Sequence, residues 1–129
     1  MQLAIDDAGI DASNVSALIA HGTATPIGDS AEIRAINTVH TRSGSSLPVT
    51  STKGHFGHAA AASGGMSLIA GLMGMIDSTL IHTANTNEPD PEARFDIVTE
   101  QPRKLEIEHL QINAFGFGGQ NASIVVSQA

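Results

Sequence analysis

Eighteen consecutive residues, Ala59 to Ile76, carry no charge. That is the minimum length of a membrane-spanning helix. The composition argues otherwise. The first half is almost all Ala, Gly and Ser, and the large apolar residues, Met66, Leu68, Ile69, Leu72, Met73, Met75 and Ile76, come later. The segment therefore predicts a helix buried in a globular core rather than a membrane span. Its small side chains let another helix or a sheet approach closely. The helix is expected to begin at Gly57 or His58 and to end near Asp77.

The remaining elements fall around that helix. Met1 to Ala8 reads as the tail of a helix stopped by Gly9, as though the chain started within an element. Val15 to Ala20 is a short apolar strand. Asp29 or Ser30 is placed to cap a helix running to His40, with Ile33, Ile36 and Val39 on one face. Arg42 to Ser46 reads as a loop and Leu47 to Ser51 as a second strand. Leu80 to Phe95, with Pro89 and Pro91, reads as irregular. Leu105 to Ala114 and Ala122 to Ser127 read as strands joined by a glycine-rich turn, an antiparallel hairpin. The order α-β-α-β-α-β-β predicts a single α/β domain over residues 1–129. Its sheet is mixed, with about four strands and a parallel core.

Composition removes several functions. There is no cysteine, so this chain holds no disulfide, thiolate metal site or cysteine nucleophile. A net charge of −7 argues against binding a phosphate backbone. The four aromatic residues are all Phe, too few for a platform that stacks nucleic-acid bases. Seven acids against three bases between Glu88 and Glu108 read as a solvated surface.

Chemistry concentrates where strands end. His21 closes the first strand and opens His21-Gly-Thr-Ala-Thr-Pro26, so Thr23 and Thr25 set two hydroxyls beside it. Such hydroxyls suit hydrogen bonds to an amide-bearing ligand. His58 ends Thr52-Lys53-Gly-His-Phe-Gly-His58, at the expected start of the small-residue helix. The helix dipole disfavours imidazolium there, and Lys53 pushes the same way. A neutral imidazole can donate a hydrogen bond to a carbonyl that becomes an oxyanion. Either histidine could instead be a structural hydrogen-bonder. The segment Gly116-Phe-Gly-Gly-Gln-Asn121 lacks the third glycine of a dinucleotide fingerprint and lies between two strands. It reads as a hairpin turn whose glycines could admit a ligand to the backbone, with Phe115 and Phe117 as possible gates. His21, His55 and His58 could also hold zinc.

Taken in order, these motifs resemble those of the β-ketoacyl-acyl carrier protein synthases, the elongating ketosynthases of fatty acid and polyketide synthesis. The motifs are His21-Gly-Thr-Ala-Thr-Pro, Thr52-Lys-Gly-His-Phe-Gly-His58 with its Ala/Gly-rich continuation, and Asn113-Ala-Phe-Gly-Phe-Gly-Gly-Gln-Asn121. Asn85-Thr-Asn-Glu-Pro-Asp-Pro is similar to the family's acidic loop. The resemblance covers nearly the whole chain but only the C-terminal part of such an enzyme. It implies half of a thiolase-like α/β/α fold, with five strands in the order 3-2-4-5-1 and the first missing.

By the same resemblance, His21 and His58 bind the malonyl thioester carbonyl and stabilise the enolate formed on decarboxylation. Lys53 positions them and tunes their electrostatics. Thr23 and Thr25 hydrogen-bond the phosphopantetheine arm. The Phe117 N–H is an oxyanion donor, and Phe115, Gly116, Gly118 and Gly119 flank the acyl pocket. No cofactor is covalently bound. The implied partners are acyl carrier protein, an N-terminal half carrying the nucleophilic cysteine, and a second copy in a homodimer. The implied location is the cytoplasm, or an organelle matrix or stroma. Three positions depart from the family: Gly54 for Ser, Ser67 for a helix glutamate, and Gln120 for Thr. A non-catalytic partner subunit, such as a chain-length factor, is the alternative that the missing cysteine suggests.

Overall fold

The computed structural model describes residues 1–41 and 46–129. Its main sheet has five strands in the order β4-β2-β1-β6-β7. These are β1 (Ala17–Ile19), β2 (Pro48–Thr50), β4 (Asp96–Ile97), β6 (His109–Phe115) and β7 (Asn121–Ser127). β1 lies parallel to β2 and β6, and β2 lies parallel to β4. β7 runs antiparallel to β6 as the predicted hairpin, with Phe115 opposite Asn121. A separate two-stranded ribbon pairs β3 (Thr79–Leu80) with β5 (Arg103–Lys104).

Four of the five main strands are those the sequence predicts. β4 is the fifth, and two residues after a proline-rich stretch leave no alternation to read. The strand expected from Leu105 begins only at His109. The predicted loop over Arg42 to Ser46 falls, except for Ser46, outside the described residues.

Strand alternation sorts the core into two layers. On one face Leu18 and Val49 meet Ile5 of α1 (Gln2–Ala8) and Ile33 and Ile36 of α2 (Pro26–His40). On the other, Ala17, Ile19, Leu110 and Ile112 meet Met75 of α4 (Ser63–Ile76). The result is an α/β/α sandwich. α2 starts at Pro26, with Thr25 before it, rather than at a cap on Asp29 or Ser30. Proline is pre-organised for the first helical position, and Asp29 instead places its charge in the first turn.

The uncharged segment folds differently from the expectation. The backbone after Lys53–Phe56, the short helix α3, turns at Gly57 (φ 76°), and α4 begins only at Ser63. Ala60 takes a positive φ of 47°, so the four alanines form a bend and a 3-10 turn despite their helix propensity. Within α4 the small residues Ser63, Ser67, Gly71 and Gly74 face the sheet with Met75. A Cβ on Gly71 would sit less than 3.0 Å from the Leu110 side chain and 3.2 Å from Ile19 Cδ1. The large residues Ile69, Leu72, Met73 and Ile76 are exposed. The helix is thus buried on its small face only. Among the described residues, no helix is long and apolar enough to cross a membrane.

Candidate active site

The carboxyl ends of β1 and β2 and the β6–β7 turn lie at one edge of the sheet, where open α/β folds gather functional groups. β1 leads through Ala20 into His21. β2 leads through Ser51 and Thr52 into α3, whose first residue is Lys53. His58 follows in the bend between α3 and α4. The rings of His21 and His58 stand 5.7 Å apart between centroids and nearly perpendicular, at 88°. The Phe115 ring packs against His21 at 5.4 Å.

Hydrogen bonds set the tautomer of each imidazole. His21 Nδ1 accepts the Phe115 backbone N–H at 3.2 Å. His58 Nδ1 accepts the Ala60 N–H at 3.0 Å and lies 3.1 Å from Ser63 Oγ. A neutral imidazole whose Nδ1 accepts carries its proton on Nε2. Each ring therefore presents an Nε2–H donor.

Lys53 Nζ donates to the His21 carbonyl and lies 3.5 Å from His21 Nδ1. Burial pushes the His21 pKa below its ordinary value, and Lys53 and then His58 add to the effect. His21 is consequently neutral near pH 7. Burial also lowers the pKa of Lys53, opposed by the carboxylates of Glu32 and Asp29. The sequence places Lys53 beside His58 at a helix start. Instead its ammonium faces His21, and the helix dipole lies five residues further on at Ser63.

Beneath His21 is a group that the sequence does not single out. Glu32, on the buried side of α2, accepts the His21 N–H and the Gly22 N–H, each at 2.9 Å, on its two oxygens. Asn113 Nδ2 donates to the same carboxylate at 3.0 Å. Asn113 belongs to a buried polar run on β6. Ser123 Oγ donates to Asn113 Oδ1 at 2.9 Å and accepts from Gln111 Nε2 at 3.0 Å. Gln111 Oε1 accepts from His40 Nε2 at 2.7 Å. A continuous hydrogen-bond chain thus joins His40, at the far end of α2, to the backbone of the His21 turn. The only signal available was a D-x-x-E spacing that reads equally well as a solvated helix face.

The other expected residues divide into two groups. Thr23 and Thr25 are hydrogen-bonded to each other at 3.2 Å. Gly116, Phe117, Gly118 and Gly119 form the hairpin turn, closed by Gly116 N–H to Gln120 O at 2.7 Å. Gly118 and Gly119 take φ of 79° and 82°, and the Phe117 side chain is fully exposed. Ser67 is buried and bonds Thr52 Oγ1 at 3.0 Å, so its polar group is satisfied without a glutamate. The zinc reading fails on geometry. His55 turns away to pack its ring on His82 at 4.8 Å, and no trio of metal-ligating side chains gathers among the described residues.

The β-ketoacyl synthase C-terminal domain matches residues 1–87, and the chain belongs to that family. Among relatives, 3-oxoacyl-[acyl-carrier-protein] synthase 2 of Staphylococcus aureus is 42% identical over 125 residues, covering 97% of this chain and 31% of its own length. A β-ketoacyl synthase from Burkholderia phymatum superimposes with a TM-score of 0.90 at 32% identity, covering 100% of this chain and 31% of its own. A type II PKS ketosynthase, bound to a hexaketide and in complex with its acyl-carrier protein, gives a TM-score of 0.93 at 30% identity, over 99% and 31% of the two chains. The chain thus spans about a third of the relatives it matches.

Proposed function

We propose that this chain supplies the decarboxylation half of a 3-oxoacyl-[acyl-carrier-protein] synthase site, which performs decarboxylative Claisen condensation in fatty acid or polyketide synthesis. The observation that carries the reading is the pair of imidazoles, His21 and His58, 5.7 Å apart between ring centroids, each with its Nδ1 accepting a backbone N–H. The Nε2–H donors of two such rings suit a thioester carbonyl oxygen that gains negative charge. As the malonyl carbon–carbon bond breaks, its electron pair moves into the enolate and carbon dioxide leaves. The enolate carbon then attacks the acyl thioester carbonyl on a cysteine outside this chain, and the cysteine thiolate departs. Burial, reinforced by the charge of Lys53, keeps His21 neutral, so the ring donates rather than titrates.

The proposed substrates are malonyl and acyl groups on the phosphopantetheine arm of acyl carrier protein, with Thr23 and Thr25 along the arm. The Phe117 N–H serves as an oxyanion donor, and Phe115, Gly116, Gly118 and Gly119 border the acyl pocket. The exposed face of α4, with Ile69, Met73 and Ile76, suits packing against an N-terminal half carrying the cysteine, and the assembled enzyme would act as a homodimer. Its place of action in this reading is the cytoplasm, or an organelle matrix or stroma. An intact histidine–lysine array has no purpose in a purely non-catalytic partner. The test is malonyl-carrier-protein decarboxylation by the whole protein containing this chain. His21→Ala and His58→Ala should each lower the rate by about 100-fold or more. Unchanged rates would overturn the reading.

A further inference from the structure

Gly54, directly after Lys53, has no room for a side chain. A Cβ there would lie less than 3.0 Å from the Ala84 carbonyl oxygen and 3.2 Å from the Ala84 nitrogen. The obstacle is backbone, which cannot swing aside as a side chain can. Any larger residue at 54 therefore forces the segment around Ala84 to retreat.

That segment, His82 to Asn85, lies across the stretch Ser51 to His55 and is tied to it three times. The Ser51 N–H donates to Thr83 Oγ1 at 3.2 Å, His55 Nε2–H donates to the His82 carbonyl at 2.8 Å, and Asn85 Nδ2 donates to the Gly54 carbonyl at 3.1 Å. From behind, the Thr83 N–H is anchored on the Val98 carbonyl at 2.7 Å. Asn85 holds a positive φ of 61°, a conformation Asn tolerates better than most residues. Thr83, Ala84 and Asn85 line one wall of a cavity of about 390 Å³, and Lys53, Glu32 and Asp29 line the same cavity. A retreat of that wall would widen the cavity around Lys53 and admit more water to its ammonium.

We infer that His82–Asn85 is a strap, seated by the missing side chain of Gly54, that positions Lys53 against His21. The lowered pKa of Lys53, due first to burial, fits a lysine held under such a wall. The catalytic consequence rests on the proposed decarboxylation. The position of Lys53 does not.

The experiment uses Gly54→Ala and Asn85→Gly in the whole protein containing this chain. Asn85→Gly accepts the positive φ and removes only the tie to Gly54, so it decides the matter if Gly54→Ala does not fold. Acylation of Lys53 by an amine-reactive reagent is followed against pH by mass spectrometry. Malonyl-thioester decarboxylation and thermal melting are measured alongside. The acylation midpoint should rise toward the ordinary lysine value of 10.5. The decarboxylation kcat should fall by about 10-fold or more with little change in KM, as for a displaced positioning group. Variants that melt earlier but keep the wild-type midpoint and kcat would overturn the strap. If the wild-type protein does not decarboxylate malonyl thioesters, the proposed function fails, while a shifted Lys53 midpoint still supports the strap.

Discussion

Replacing Glu32 by Gln tests the foundation of the site with a nearly isosteric change. In the best orientation the amide oxygen takes the place of Oε1 and still accepts from the His21 N–H and Asn113 Nδ2. The amide NH2 then faces the Gly22 N–H, which now bonds Oε2 at 2.9 Å, donor against donor. The opposite orientation sets two donors against the NH2 group and is worse. One buried donor left unmet costs about 1–3 kcal/mol, and two bonds reduced from charged to neutral acceptors lose roughly 1 kcal/mol each. The expected destabilisation is about 3–5 kcal/mol, a large share of a typical domain's stability. Urea unfolding of the whole protein, wild type against Glu32→Gln, measures it. The substitution also removes a carboxylate that favours the charged form of Lys53. The Lys53 acylation midpoint should therefore fall, opposite to the strap variants. A stability loss below about 0.5 kcal/mol, or a rising midpoint, would falsify the assignment of Glu32 as the acceptor beneath His21.

Two further outcomes follow from packing and burial. Gly71→Ala drives a methyl group into Leu110 and Ile19; overpacking at about 1–3 kcal/mol outweighs the gain of roughly 1 kcal/mol in helix propensity. Its melting temperature should fall, and an unchanged or higher value would show that α4 does not sit this close to the sheet. His40 is buried, and burial, opposed by its bond to Gln111, lowers its pKa from 6.5. The unfolded chain then binds the extra proton first, so stability is full above about pH 6.5 and declines as pH falls toward the folded-state value. The slope from this group is at most about 1.4 kcal/mol per pH unit. Urea midpoints for His40→Gln between pH 7 and pH 5 should fall less steeply than wild type, and an identical slope would exclude His40 as a contributor.

The sequence exposes most of the framework because its signals are local. β1, β2 and β7 are apolar or alternating runs, and the glycines of the hairpin turn announce positive φ. The proximity of His21 and Lys53 follows from their places just past the ends of β1 and β2, while His58 lies farther on, in the bend between α3 and α4. What stays hidden depends on contacts distant in sequence. Glu32 and His40 look like the polar side of an amphipathic helix, and Gln111 and Asn113 look like the outward positions of a half-buried strand. Only the packing of α2 over β6 turns all four inward. The start of α4 is hidden for another reason: Ala59 to Ala62 have high helix propensity, yet the turn at Gly57 and the positive φ of Ala60 break the helix. Nearness in sequence pairs Lys53 with His58, whereas the ends of β1 and β2 bring its ammonium to His21.

The buried amides of β6 also bear on how the sheet is aligned during folding. Leu110 and Ile112 on the opposite face are interchangeable under a two-residue slip, since such a slip leaves the alternation of apolar and polar positions intact. Gln111 and Asn113 are not interchangeable. The first needs His40 and the second needs Glu32, and a slipped strand would bury donors and acceptors without partners. Hydrophobic alternation thus chooses the face, and the amide pairs choose the register. The edge that carries His21, Lys53 and His58 is correctly assembled only in the register that lets Phe115 offer its N–H to His21.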